Sequence, residues 1–313
     1  MNARARAPGK TILAGEHAVV YGYSALAMPV PEAGVEVEID PSGRWLWEGA
    51  NSEGPDDIDP GETLGDLVNI LVDAMYEHGV DVSPPIGLRV RGGVRSGGLG
   101  TSAALCTALV RALLVQNEQE LSPGVVALIA NEGEELFHGT PSGLDAALTS
   151  FGRPILYRKG HEPTILSVQA PLHFVVAASV VRSSTKDVVA AVAKARQEDS
   201  TRVEALMASM GAAAEEAAQG FIRGDIDTIA ASMQKARIAL KSLDLEHPVT
   251  EAIRAAALQA GALEAKLTGA GRGGAVLALA PSSEARARIQ SALNAHPDCS
   301  ATFGLTLDPD QRP

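Results

Sequence analysis

The hydrophobic and polar positions along this chain alternate between the two-residue period of β-strands and the wider spacing of helices. Val35, Val37 and Ile39 alternate with Glu36 and Glu38, which predicts a strand with one exposed face in an antiparallel sheet. Strand patterns also cover residues 45–47, 86–90, 154–157, 165–168, 173–181, 265–267, 275–280 and 302–307. Helical patterns cover residues 64–76, 103–113 and 122–138, three alanine-rich stretches between about 185 and 260, and a segment capped at Ser282 or Ser283.

The predicted elements fall into two halves. Pro163 and Pro171 punctuate the chain near residue 168, so we expect domains at residues 1–168 and 169–313. In the second half, the order strand, helices, two strands, helix, strand is the split pattern of ferredoxin-like domains, with extra helices added. The predicted fold class is therefore α+β, in two domains.

Composition narrows the classes of protein to which the chain can belong. Its 313 residues are 46% hydrophobic and carry a formal net charge of -12, which disfavours nucleic acid and anionic membranes as partners. Cys106 and Cys299 form no CxxC pair, which argues against a disulfide framework or structural zinc and favours a reducing compartment. No apolar run approaches the roughly 18 residues that a membrane span needs. We expect a cytoplasmic protein in which a local nest of N–H groups and a few cations would hold any anionic ligand.

A glycine-rich segment, GGLGTSAAL at residues 97–105, leads from a strand pattern into a helix rich in alanine and leucine. Backbone N–H groups at a helix N-terminus, with the positive end of the helix dipole behind them, suit an anion and above all a phosphate. Thr101 and Ser102 add two hydroxyl groups there. The same pattern also describes a well-capped buried helix, and the segment alone does not decide between the two interpretations.

A second glycine-rich segment, at residues 269–274, matches GxGxxG but lies between two predicted strands. A dinucleotide-binding fold needs a strand followed by a helix at this motif, so that fold is disfavoured. The HRD, DFG and GxxxxGK[ST] motifs do not occur in the sequence, which argues against protein kinases and P-loop enzymes. By itself the segment is equally consistent with a tight hairpin.

Charged side chains near these segments are candidates for chemistry. Glu134 and Asp145 are joined by a short turn-rich connection, so one carboxylate can hold magnesium while the other orients or deprotonates a hydroxyl. The alternative is a solvated glutamate face on the helix and a capping role for Asp145. Lys10 can neutralise phosphate charge and His17 can bond a substrate, whereas a surface lysine and a structural histidine are the alternatives.

Four motifs follow one another along almost the whole chain: GKTILAGEHAVVYG at 9–22, GGLGTSAA at 97–104, GTPSGLD at 139–145 and KLTGAGRGG at 266–274. Together they resemble the motifs of the GHMP small-molecule kinases. Within that family, the first and third motifs are most like those of the branch that phosphorylates mevalonate. The resemblance implies a two-domain GHMP kinase fold, with an N-terminal domain similar to the second domain of ribosomal protein S5, a ferredoxin-like C-terminal domain, and the site in the cleft between them.

The resemblance also implies roles for individual residues. Asp145 would accept or orient the substrate hydroxyl, and Lys10 would interact with it and with the transferring phosphate. The other implied groups are a triphosphate cradle of Gly97, Gly98, Leu99, Gly100, Thr101 and Ser102, a Mg²⁺ site of Ser102 and Glu134, an acceptor side with Glu16, His17 and Thr185, and an active-site loop of Gly269, Ala270, Gly271, Arg272 and Gly273. The implied partners are ATP and a small hydroxylated carboxylate. A homodimer is a further expectation, which the sequence does not decide.

Three departures from the family pattern leave the acceptor open. Ala146 stands where the family has Asn, Arg272 replaces a Gly, and Val94 and Arg95 stand where relatives carry Pro. Arg272 either contacts a phosphate or a substrate carboxylate, or points to solvent. The alternatives to mevalonate phosphorylation are another GHMP kinase, such as a mevalonate 3-kinase, a phosphomevalonate kinase or a homoserine kinase, and a non-catalytic relative that only binds ligands.

Overall fold

The computed structural model describes residues 3–48, 60–92, 98–138 and 141–309. The strands are β1 (Arg4–Ala14), β2 (Ala25–Ile39), β3 (Trp45–Glu48), β4 (Leu88–Gly92), β5 (Ile155–Tyr157), β6 (Thr164–Ile165), β7 (Leu172–Ser179), β8 (Glu264–Thr268), β9 (Ala275–Ala280) and β10 (Cys299–Leu307). The helices are α1 (Pro60–Glu77), α2 (Thr101–Gln116), α3 (Pro123–His138), α4 (Leu144–Phe151), α5 (Thr185–Glu198), α6 (Ser200–Arg223), α7 (Ile226–Ser242), α8 (Pro248–Gln259) and α9 (Ser283–Asn294). A 3₁₀ turn covers Ala18–Tyr21.

The chain packs into two units, each made of separate segments. The first unit takes residues 1–10, 29–95 and 100–152, and the second takes residues 11–28, 96–99 and 153–313. Both β1 and β2 therefore contribute residues to each unit. The predicted domains at residues 1–168 and 169–313 are continuous in sequence, whereas these two units are not. That division of the chain therefore stays a prediction.

The first unit combines a small sheet with helices α1 to α4. β4 pairs antiparallel with the Val35–Ile39 part of β2, as the alternation in that segment predicts, and β3 pairs parallel with β4. The side chains of Trp45 and Trp47 pack against the apolar core of this unit. The middle of α2 is buried on every side, since its residues from Ala103 to Val110 form an unbroken buried run. This encasement fixes the N-terminus of α2 on the core of the unit.

The second unit contains a four-stranded antiparallel sheet among the described residues, in the order β10-β7-β9-β8. Val175 on β7 shares an apolar cluster with Ile253 on α8 and Ile289 on α9, so these two helices cover one face of the sheet. This strand order, with the sequence β7, helices, β8, β9, α9, β10, is the ferredoxin-like arrangement that the sequence predicts. The glycine-rich turn at residues 269–274 is the β8–β9 hairpin connection.

The structure corrects the number of helices between residues 185 and 260. The predicted three stretches are four helices, α5 to α8, within this fully described part of the chain. The alanine-rich pattern does not show where one helix ends and the next begins, because single capping residues set these boundaries. Asp199 ends α5 and caps α6 through the Arg202 N–H, and Asp225 caps α7 through the Thr228 N–H. Pro248 then starts α8 in the position that proline favours.

Some predicted strand ends lie outside the observed strands. Ile86 lies outside β4 and is 65% exposed, and β6 ends at Ile165, so Val168 is not part of a strand. Both of these ends carry β-branched residues, whose strand propensity extends beyond the paired backbone. Val94 and Arg95, the third departure from the family pattern, lie outside the described residues. None of the helices described for this chain is both long enough and apolar enough to cross a membrane.

Candidate active site

Lys10 and Asp145 meet in the first unit. The Lys10 Nζ atom lies 3.2 Å from Asp145 Oδ1, and their side chains are 5% and 26% exposed. Lys10 is placed by β1, and Asp145 stands in the first turn of α4, which begins after Gly143 without a side-chain cap. The ammonium group and the positive end of the helix dipole both attract the carboxylate. The capping role considered for Asp145 is therefore wrong: its carboxylate faces a buried lysine.

Gly100 provides the space in which Lys10 lies. Its φ of 66° belongs to the left-handed region, and it is the N-cap residue of α2. A Cβ atom at this position would lie 2.5 Å from Lys10 Cγ. A side chain at residue 100 would therefore displace the lysine, which explains on physical grounds why glycine is found here.

Glu134 lies buried beside this pair. The residue is 2% exposed, so the interpretation of a solvated glutamate face is wrong at this position. Burial, followed by the charge of Asp145, raises the pKa of Glu134 to about 8, while a hydrogen bond from Ser102 and the charge of Lys10 oppose this shift. Its Oε1 atom has no hydrogen-bond partner among the described residues. A bound cation would stabilise the charged form of this buried carboxylate, which has no partner at Oε1.

The side chain of His138 joins this group, although the sequence analysis did not single it out. Its Nε2 atom lies 3.1 Å from Ser102 Oγ, and burial lowers the pKa of its imidazole. The available signal is its position four residues after Glu134, which places both side chains on one face of α3. Gly133 allows α3 to approach closely, because a Cβ atom there would lie 2.9 Å from Cys106 Sγ on α2.

The N-terminus of α2 has the features of an anion site. Gly100 provides no side-chain cap, and Thr101 and Ser102 occupy the first turn, which contains no acidic residue. The alternative interpretation, a well-capped buried helix, is confirmed for the burial of the helix but not for a side-chain cap. The positive end of the helix dipole is not compensated by a carboxylate in that turn. Gly97 lies outside the described residues.

Gly98 and the glycine-rich turn meet in the second unit. Gly98 has a φ of 96° and Gly269 a φ of 89°. A Cβ atom on Gly269 would lie 2.8 Å from Gly98 Cα, so the two backbones approach more closely than side chains allow. Leu99, which follows Gly98, is buried. Two of the four motifs are thus in direct backbone contact.

The first motif also contacts the glycine-rich turn. His17 Nε2 lies 2.8 Å from the Ala270 carbonyl oxygen. The neighbouring Glu16 is paired with Lys266, whose Nζ also donates to the Leu267 carbonyl oxygen at 2.7 Å. Both charged side chains are buried, and burial lowers the pKa of Lys266 against the charge of Glu16. Sequence reasoning missed Lys266, since nothing in KLTGAGRGG distinguishes a buried lysine from an exposed one.

The side chain of Arg272 is held by Asp244. Its Nε donates to the Asp244 carbonyl oxygen at 3.1 Å, and its Nη2 lies 3.3 Å from Asp244 Oδ2. Residues Arg272 and Asp244 both have positive φ, at 55° and 58°. Thr185 is the first residue of α5, directly after the N-cap Ser184.

Comparison with known proteins assigns the family. The model of the GHMP kinases N-terminal domain matches residues 66–153, and that of the GHMP kinases C-terminal domain matches residues 217–299. Curated mevalonate kinases of Thermococcus sibiricus and Aeropyrum pernix are each 30% identical to this chain, with coverage of 91% and 92% of both partners, respectively. The chain belongs to the GHMP kinases.

A solved structure supports the same assignment at the level of the fold. The L. major mevalonate kinase in complex with R-mevalonate has a TM-score of 0.81 and 29% sequence identity, covering 98% of this chain and 96% of that chain. The predicted two-domain α+β GHMP kinase fold is thus confirmed. As a member of this family, the chain is a small-molecule kinase that uses ATP with a divalent cation.

The described residues contain no cluster of three or more histidine, cysteine, aspartate or glutamate side chains that could hold a metal ion. Ser102 Oγ and the unpartnered Glu134 Oε1 are oxygen donors of the kind that Mg²⁺ prefers. These two residues fit such a cation.

Proposed function

We propose that this GHMP kinase transfers the γ-phosphoryl group of ATP to the primary hydroxyl of mevalonate and forms 5-phosphomevalonate. The observation that carries the proposal is the contact of 3.2 Å between Lys10 Nζ and Asp145 Oδ1 in a chain whose curated relatives are mevalonate kinases. Asp145 orients the acceptor hydroxyl and accepts its proton, and Lys10 interacts with Asp145 and with the phosphoryl group as charge builds on it. Phosphoryl transfer depends on such positioning and charge stabilisation more than on covalent chemistry.

The phosphate side of the reaction is assigned to the N-terminus of α2. Residues Gly97 to Ser102 hold the triphosphate, and the uncapped first turn of α2 supports this role. Ser102 and Glu134 would hold the cation, which we infer to be Mg²⁺ from the hard oxygen donors present. When bound, this cation supplies neutralisation of charge on the phosphate oxygens.

The acceptor side is assigned to Glu16, His17 and Thr185, and the loop of Gly269, Ala270, Gly271, Arg272 and Gly273 is assigned to the active site. The contact between His17 and the Ala270 carbonyl supports a common role for the first motif and this loop. The two departures that lie within the described residues do not favour another acceptor. Ala146 is buried in the apolar core of the first unit, and the exposed side chain of Arg272 pairs with Asp244.

An ADP-release assay with a panel of acceptors tests the function. Mevalonate, phosphomevalonate, homoserine and galactose are offered with ATP and Mg²⁺, and we expect turnover with mevalonate. Phosphorus NMR of the product then distinguishes phosphorylation at the primary hydroxyl from phosphorylation at the tertiary hydroxyl. Release of ADP only with another acceptor would overturn the substrate assignment and leave the family assignment intact. A cytoplasmic location and a homodimer remain predictions.

A further inference from the structure

A buried ion pair joins the first motif to strand β8. Lys266 is fully buried, Glu16 is 1% exposed, and the ammonium group donates to the Glu16 carboxylate and to the Leu267 carbonyl oxygen. Removing two charges from water is costly, and apolar residues of the same volume are often as stabilising as a buried pair. Stability alone therefore does not account for these two residues.

The pair holds a turn with an unfavourable backbone. Gly15 has a φ of 99°, and a Cβ atom there would lie 2.4 Å from Ala25 Cα. His17 has a φ of 60°, which is uncommon for a residue with a side chain. Such conformations persist only where the surrounding structure fixes them. Glu16 stands between these two residues, so its bond to Lys266 fixes the centre of the turn.

The same pair connects the turn to the glycine-rich loop. Lys266 lies on β8, three residues before Gly269, and His17 Nε2 contacts the Ala270 carbonyl oxygen in that loop. Two contacts thus join the turn at residues 15–17 to the strand end and to the loop that follows it. Displacement of Glu16 moves His17 relative to the loop.

We propose that Lys266 is a positioning residue for acceptor binding, which acts by fixing Glu16 and thereby His17. The inference rests on the proposed function, in which His17 lies on the acceptor side. Because Glu16 is 1% exposed, its contribution to acceptor binding is made through the position of His17.

Replacement of both charges separates positioning from stability. Lys266→Met alone leaves a buried unpaired carboxylate and lowers the melting temperature, whereas Glu16→Gln combined with Lys266→Met removes both charges of the pair and recovers it. We expect the double variant to keep a KM for mevalonate raised about tenfold or more, the loss that corresponds to one hydrogen bond to a charged group. Its KM for ATP stays within about twofold of the parent value, which is below the effect of one ordinary hydrogen bond.

Thr268→Val is the matched control. The Thr268 hydroxyl joins β8 to β1 by accepting from the Ile12 N–H at 2.8 Å, without touching Glu16. This variant lowers the melting temperature and leaves the KM for mevalonate unchanged. A double variant whose KM for mevalonate matches the parent, or a control with an equal rise in KM, would show that the pair is only structural and overturn the proposal.

Hydrogen exchange separates this inference from the proposed function. The Val19 and Val20 N–H groups bond to the Gly15 and His17 carbonyl oxygens at 3.1 and 3.0 Å. We expect these amides to exchange at least about tenfold faster in the double variant, and not in the Thr268→Val protein, because only the double variant releases the turn. If the parent uses another acceptor, the KM comparison is made with that acceptor and the exchange measurement is unaffected. Unchanged exchange at both amides would refute the positioning role whatever the acceptor is.

Discussion

Gly100→Ala tests whether the backbone at the start of α2 sets the position of Lys10. Residue 100 has a φ of 66°, and an added Cβ atom would lie 2.5 Å from Lys10 Cγ. Gly152 offers a matched control, since its φ is 63° and no neighbouring heavy atom of the described residues lies within 4 Å of a Cβ atom there. The two substitutions therefore share the backbone strain and differ in the collision with the lysine.

The expected losses of stability and of kcat follow from the backbone strain and from the collision with Lys10. A residue with a side chain in the left-handed region costs about 1–2 kcal/mol, so both variants should lose about this much stability. In Gly100→Ala the contact must also open from 2.5 Å towards the roughly 3.5–4 Å of ordinary carbon contacts, which moves the lysine stem by about 1 Å. A misplacement of this size at a reacting centre costs about a hundredfold in rate.

The assay compares kcat at saturating ATP and acceptor with the free energy of unfolding for the parent and both variants. We expect Gly152→Ala to lose stability and keep its kcat, and Gly100→Ala to lose both. Equal kcat values in the two variants would refute the reasoning, because the position of Lys10 would then not depend on the space at residue 100.

Three further predictions concern the chemistry and the pH dependence. Asp145→Ala should keep ATP binding, measured by calorimetry, and lose at least about a hundredfold in kcat, the scale of a positioned proton acceptor; unchanged turnover would reject its role. Ser102→Ala and Glu134→Gln should each raise the Mg²⁺ concentration for half-maximal activity about tenfold or more, and metal titrations that match the parent would exclude these ligands. Hydrogen bonds from the Thr228 hydroxyl and N–H lower the pKa of Asp225 below its ordinary value of 3.8, so its charge stabilises the fold above that pH and the stabilisation is lost as pH falls through the lowered pKa. The melting temperature of Asp225→Asn should thus lie below the parent at neutral pH and converge with it in acid; a difference independent of pH would contradict this assignment.

Sequence pattern and structure agree where a period repeats over many residues. The alternation at Val35, Val37 and Ile39 predicts the antiparallel pairing of β2 with β4, and the helix predicted at 122–138 is α3 at Pro123–His138. The count of helices after residue 185 was wrong because Asp199 interrupts an alanine-rich pattern without changing its composition. Breaks of this kind depend on one capping bond, which periodicity does not detect.

For the candidate site, the sequence likewise predicts some features and not others. Lys10, Ser102 and Asp145 belong to recognisable motifs, and Glu134 lies on the helix just before the third motif, so the sequence identifies them before any contact is known. The surroundings that give them their chemistry are tertiary: burial of Glu134 and the space beside Gly100 depend on segments far apart in the chain. Lys266 was missed for the same reason, because its partner lies 250 residues away.

The encasement of α2 has a consequence for heat inactivation. Because the side chains from Ala103 to Val110 are buried, the middle of the helix cannot loosen without opening the core of the first unit. Thr101 and Ser102 in the first turn are only partly buried, so this turn frays at a lower free-energy cost than the rest of the helix. Heating should therefore raise the KM for ATP before the first unit melts.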